Sequence, residues 1–177
     1  EQLGMEDILF RCLNVLIKEK DIMKAIEIFL ETLCVYYQAD RAYIFEFNHK
    51  RQTLSNTFEW CAPGVQEEID KLQDLPLEVV SNWIEMFQTC GEFTISALDR
   101  EVDPTSKEYQ LLEMQGIQNL IAAPLINEKG ISGFMGIDNP RKDRGNTMLL
   151  RSTSKFVLTE LEKRRWFQEL EYLSYTD

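Results

Sequence analysis

The stretch Leu112-Glu-Met-Gln-Gly116-Ile117-Gln-Asn-Leu120-Ile-Ala-Ala-Pro124-Leu125, continued by Gly130-Ile-Ser-Gly133-Phe-Met-Gly136-Ile-Asp138-Asn139-Pro140, decides how this chain folds. Thr105 to Gln115 reads as a helix, and Gly116 stands where a left-handed stop is wanted. Asn119–Ile126 and Ile131–Asp138 are rich in strand-forming residues, and Asn127-Glu128-Lys129-Gly130 is a turn between them. A connection that short pairs its strands antiparallel. Gly133 and Gly136 sit oddly in a strand, because each removes a side chain. Such gaps admit a helix or a ligand, and close helix packing is the favoured reading of the two.

Moving outward, the same kind of hairpin appears upstream. Arg41 to Phe47 is strand-like, Asn48 to Gln52 is a polar turn, and Thr53 to Trp60 returns, ended by Pro63-Gly64. Before it lie two amphipathic helices. Ile8, Leu9, Cys12, Leu13, Leu16 and Ile17 repeat at helical spacing over Met5–Lys18. Asp21 then caps a second stripe of Ile22, Ala25, Ile26, Phe29, Leu33 and Tyr36 or Tyr37. Between the hairpins, Val79, Val80, Trp83, Met86 and Phe87 mark a short helix and Phe93-Thr94-Ile95 a short strand. A last helix runs from about Thr147 to the end.

This order predicts an α+β fold with a central antiparallel sheet of about five or six strands and helices on both faces. The terminal helices cover one face, and the middle helices cover the other and close a pocket there. The sequence shows no repeat and no low-complexity stretch.

With those residues in place, the chain resembles GAF domains across about residues 5 to 172. The helix, Gly116-Ile117 and the strand ending in Pro124-Leu125 are similar to that family, as is the hairpin ending in Asp138-Asn139-Pro140. Ala39-Asp40-Arg41-Ala42-Tyr43-Ile44-Phe45 resembles its first strand. The likeness implies a GAF/PAS-like sensory domain over 5–145 and a linker helix over 146–177. At the end, Leu170-Glu-Tyr-Leu173-Ser-Tyr-Thr-Asp177 resembles the linker into a GGDEF diguanylate cyclase domain, with a plain helix tail as the alternative. That likeness implies a bacterial signalling protein that makes cyclic di-GMP under control of this segment. The opening Glu1-Gln2-Leu3-Gly4, without an initiator Met, suits a piece of a longer protein.

Composition narrows the function. Nineteen basic against 30 acidic residues give a net charge of −11, a surface that repels phosphate backbones and anionic membranes. No nucleic acid and no direct membrane contact are therefore expected, and Arg141, Lys142 and Arg144 read as a solvated loop. No apolar run is long enough to span a bilayer. Cys12, Cys34, Cys61 and Cys90 are scattered with no C-x-x-C pair, which points to a reducing cytoplasm. With His49 the one histidine, in a turn, neither a zinc site nor a haem ligand is expected, and no cofactor.

No catalytic constellation can be assembled, because His49 is near no marked nucleophile and no glycine-rich phosphate loop is present. The isolated segment is therefore expected not to be an enzyme. The least favoured reading is a GAF-fold redox enzyme like the reductase of free methionine sulfoxide, working through Cys61 and Cys90. Their surroundings do not match that family's motifs. Neither the cyclic-nucleotide pattern of GAF domains nor a cysteine in a bilin-attachment setting is present. Binding of an unidentified small molecule is favoured, on aromatic walls with a few polar groups. The candidate residues are Tyr43, Phe45, Phe58, Glu59, Trp60, Trp83, Phe93, Asn119 and Asp138. Plain core is the alternative for the aromatics.

The terminal helix reaches about 35 Å or more at 1.5 Å per residue, more than one small sheet can bury. Leu150, Val157 and Leu161 form part of a heptad seam, from which Phe167, Leu170 and Leu173 drift. These six are the expected contacts of a parallel homodimer that passes the signal to a covalently linked output domain. An unliganded dimerisation spacer is the other reading.

Overall fold

In the computed structural model, residues 4–176 are described, and local chemistry accounts for several of the element ends. Helix α1 spans Met5–Lys18 and α2 spans Ile22–Tyr37. Asp21 caps α2, its Oδ1 accepting from the Met23 and Lys24 N–H groups at 3.1 and 3.3 Å, which satisfies donors that a helix start leaves free. Helix α2 stops at Gln38, in the left-handed region at φ 50°.

Strand β1 (Arg41–Asn48) and β2 (Thr53–Cys61) form the first hairpin. A short pairing strand β3 (Leu75–Pro76), a 3-10 turn (Leu77–Val80), α3 (Ser81–Cys90), β4 (Phe93–Ile95) and the one-turn α4 (Leu98–Glu101) follow. Helix α5 (Lys107–Met114) begins at Ser106, whose hydroxyl accepts from the Tyr109 N–H, and Gly116 closes it at φ +74°. Strands β5 (Leu120–Asn127) and β6 (Gly130–Asp138) make the second hairpin, and α6 runs Met148–Thr176.

The six strands lie in the order β3-β2-β1-β6-β5-β4, and every neighbouring pair is antiparallel. Side chains alternate across the strands and feed two cores. On one face α1, α2 and α6 cover Ala42, Ile44, Ile121, Met135 and Ile137. Phe29, Leu33 and Tyr37 are wholly buried there, each such side chain contributing about 1.5–3 kcal/mol by leaving water. On the other face α3, α5 and the 3-10 turn cover Tyr43, Phe45, Ile95 and Phe134. The expected division, terminal helices on one side and middle helices on the other, is the one observed.

The two strand glycines are explained by neither a helix nor a ligand. A Cβ on Gly136 would lie 2.4 Å from the Tyr43 ring, and one on Gly133 would lie 2.1 Å from the Phe45 carbonyl oxygen. Both gaps are filled by β1 itself.

Asn139, in the left-handed region at φ 54°, ties the end of β6 to its surroundings. Its Oδ1 accepts from the Gln118 and Asn119 N–H groups at 2.8 and 3.2 Å. Its Nδ2 donates to Asp40 Oδ2 and the Gly116 carbonyl at 2.8 and 2.9 Å. The Asp-Asn-Pro turn is thus a structural lock. Asp177, where the cyclase-like run would begin, lies outside the described residues.

The terminal helix divides at Leu161. Leu149, Leu150, Val157 and Leu161 are buried in this chain's own core. Leu150, Val157 and Leu161 are therefore not free to form a seam with a second copy, and this corrects half of the expected dimer contacts. The repeat that suggested a seam is the stripe by which α6 packs on the sheet. Beyond it, Trp166, Phe167, Leu170 and Leu173 are all more than half exposed.

Candidate ligand cavity

Between the sheet and the α3–α5 cover lies a cavity of about 40 Å³. Its lining is mixed: Phe45, Leu54, Leu72, Val80, Trp83 and Phe134 are apolar, and Arg41, Asn56, Glu59, Glu108 and Asp138 are polar or charged. At roughly 10–15 Å³ of such space per water molecule, it holds a few heavy atoms.

The charged pair in the lining is built from strand register. Arg41 and Asp138 are paired across β1 and β6, so both project into the same layer. Arg41 is 4% exposed. Its Nε donates to the Gln66 carbonyl at 3.1 Å, and its Nη1 donates to the Gln115 carbonyl at 3.2 Å and to Asp138 Oδ2 at 3.4 Å. Nη2 stands 3.9 Å from Glu68 Oε1. The guanidinium thus holds the Gln66 and Gln115 loops against the sheet.

Asp138 is 1% exposed. Burial pushes its carboxyl up to about 7, against the opposing pull of Arg41 and the Tyr43 hydroxyl, and Glu59 adds to the rise. Burial also raises Glu108, opposed by the Trp83 indole N–H, which donates to Glu108 Oε1 at 2.7 Å. Glu59 accepts from the N–H groups of Glu68 and Ile69.

Of the residues expected from sequence, the structure brings Tyr43, Phe45, Glu59, Trp83 and Asp138 to the cavity wall. Phe93 stands behind the wall, its ring stacked on Trp83 at 4.5 Å. Asn119 is not at the cavity. It sits at the end of β5's approach, lining an open cleft with Gln118 and Arg144.

Phe58 and Trp60 are on the opposite face, packed with the helix-side core, and the Arg164 guanidinium lies 4.9 Å from the Phe58 ring centroid. The cause is a bulge. Ile44 pairs with Phe58 but Phe45 pairs with Asn56, so Thr57 is an extra residue. A bulge inverts the alternation beyond it. Leu54 and Asn56 face the cavity before it; Glu59 does so after it.

Sequence reasoning missed Arg41, Asn56, Glu108 and Phe134. Arg41 had a signal, since it stands two residues before Tyr43 and so shares its face. Phe134 had the same kind of signal in its alternation with Gly136. Asn56 depends on the bulge and Glu108 on how α5 docks, and neither is local.

Among the described residues no group of His, Cys, Asp and Glu is placed to hold a metal ion, and no helix is long and apolar enough to cross a membrane.

No protein-family model matches the chain. Among solved structures, the phycoerythrobilin-bound GAF domain of a cyanobacterial phytochrome superposes with a TM-score of 0.72 at 11% identity, covering 95% of this chain and 100% of that one. The GAF domain of an Acinetobacter phosphoenolpyruvate-protein phosphotransferase gives 0.67 at 9% identity, over 94% and 99% of the two chains. The fold is that of GAF domains. A curated relative, the methanogenesis regulatory histidine kinase FilI of Methanothrix harundinacea (strain 6Ac), is 30% identical over 132 residues, 70% of this chain. The chain matches 14% of that relative's length.

Proposed function

We propose that this chain is a sensory domain of a signal-transduction protein, in which a small molecule in the cavity acts through α6 on an output domain. The observation that carries the reading is the double role of β1. Tyr43 and Phe45 face the cavity, while Glu46, the next residue, faces α6. Glu46 Oε1 accepts from Arg164 Nη2 at 2.8 Å, and Oε2 accepts from Arg165 Nη2 at 2.9 Å. Thr57, the bulge residue, donates to the same carboxylate at 2.7 Å. A change in the cavity wall therefore reaches the helix through a single strand.

Phe167, Leu170 and Leu173, exposed beyond the fold, are the contacts of the proposed parallel homodimer. A histidine kinase output fits the relative at 30% identity. A diguanylate cyclase output rests on the likeness of residues 170–177 to the GGDEF linker. The domain itself is read as non-catalytic: burial pushes the Cys61 thiol up to about 12, far from the thiolate that a redox role needs. Four unpaired cysteines suit the cytoplasm.

The test is a thermal-shift screen of nucleotides, amino acids and metabolites, followed by spin-label distances across position 167 in a dimer. A specific ligand raises the melting temperature by mass action and changes the interhelix distance. A ligand that binds without moving the helices would overturn the relay, and an empty screen would leave the chain as a spacer.

A further inference from the structure

We infer that the cavity takes a small organic ammonium, a protonated primary or secondary alkylamine of a few heavy atoms, in preference to an anion or a nucleotide. This rests on the sensory reading above and specifies its ligand.

Three observations converge on that chemistry. The first is charge: among the described residues that line the cavity, Arg41 is the one cation, against Glu59, Glu108 and Asp138. The second is what Arg41 already does. Its Nε and Nη1 donate to protein oxygens, so it is committed to holding two loops. The third is the sign of what is left over. Asn56 is 2% exposed and Asp138 1% exposed, and each keeps an Oδ1 with no hydrogen-bond donor. Buried acceptors without donors are costly, and native proteins keep few of them. Two lining acceptors thus lack N–H partners in a lining with more acids than bases, and an alkylammonium supplies both a donor and a positive charge.

The apolar part of the lining fits the remainder of such a ligand. Tyr43, Phe45, Trp83 and Phe134 offer aromatic faces, which attract a cation and shelter a short alkyl chain. The volume of about 40 Å³ sets the size, well below the roughly 300–1,000 Å³ of sites for drug-sized ligands.

The experiment titrates the chain above pH 7, where the Asp138 carboxyl is ionised, at fixed ionic strength, with methylammonium, ethylammonium and butylammonium chloride. Sodium formate, sodium acetate and ethanol are the controls of similar size. The readout is the indole N–H signals of Trp83, Trp60 and Trp166, of which Trp83 lines the cavity. The Trp83 signal is expected to shift and saturate with the two smaller ammonium ions while the other two stay put. Asp138→Asn and Asn56→Leu should each weaken that binding about tenfold or more. Asn56→Leu trades an unpartnered amide for an apolar group and is expected to fold, so it keeps the test open if Asp138→Asn does not.

A saturable Trp83 shift with formate or acetate, and none with the ammonium ions, would overturn the ammonium assignment and leave a ligand cavity standing. Unchanged ammonium affinity in both variants would also overturn it. Silence of Trp83 to every probe would overturn this inference, while the ligand-sensor reading stands or falls with the thermal-shift screen.

Discussion

The two faces of the sheet are built by different rules. The helix-side core contains Phe29, Leu33, Tyr37, Met135 and Val157, all wholly buried. The cavity side contains the same sort of aromatic and aliphatic packing, but also a buried arginine, a buried aspartate and a buried asparagine. The buried Glu46, Thr153 and Glu160 of the helix side each have hydrogen-bond partners, whereas Asn56 and Asp138 each keep an unpaired Oδ1, and unpaired buried polar groups are destabilising. One face therefore holds the fold together, and the other keeps unpaired polar groups beside the cavity in which the proposed ligand would sit.

That contrast can be broken most forcefully at Phe29. Phe29→Ala should lower unfolding free energy by about 3–5 kcal/mol, measured by urea denaturation. A loss under about 1 kcal/mol would mean that the helix-side core is not what holds the fold.

Next comes Asp138. Its folded carboxyl titrates at about 7 against a reference of 3.8. Well below pH 3.8 it is protonated in both states. As pH rises toward 7 the unfolded chain gives up its proton while the folded chain keeps it, so stability falls, and above 7 this contribution is flat. Burial sets this, with Arg41 and Tyr43 on β1 opposing it and Glu59 on β2 adding to it. Stability of the wild type relative to Asp138→Asn should therefore decline by up to about 4 kcal/mol between pH 4 and pH 7. A difference that stays constant over that range would place the carboxylate in a comfortable ionised state.

Glu46→Ala should cost about 1–2 kcal/mol, because Arg164 and Arg165 are part-exposed and can turn to water. Its sharper mark is in hydrogen exchange, which should accelerate in α6 beyond Leu161 and not before it. The smallest effect has the opposite sign. Asn56→Leu should stabilise the chain by about 1 kcal/mol, a gain in melting temperature bought with the loss of ammonium binding. Destabilisation instead would show that Asn56 is part of the structural core.

The hairpins and caps were legible because their causes are local. Asp21 acts on N–H groups two and three residues away, and Gly116 ends its helix with its own backbone angle. The paired glycines were noticed as gaps, but what fills them is a carbonyl and a tyrosine ring from another strand. The site was half legible. Alternation placed Tyr43 and Phe45 together, and would have added Arg41. It failed at Phe58 and Trp60 because one extra residue at Thr57 reverses the facing, and no residue type there announces a bulge. Phe58, Glu59 and Trp60 could never have shared a wall, since neighbours on a strand face opposite ways. The α6 stripe was legible as apolar spacing, but spacing does not say whether the partner is another copy or the chain's own sheet.

Glu46 stands where α6 ceases to rest on the sheet and projects alone, which makes that carboxylate a fulcrum. The helix continues for about 22 Å past Leu161 at 1.5 Å per residue. A tilt of about 5° there would swing the far end by about 2 Å. Movements too small to reshape the cavity can thus arrive at the far end of α6 magnified to the scale of a side-chain repacking.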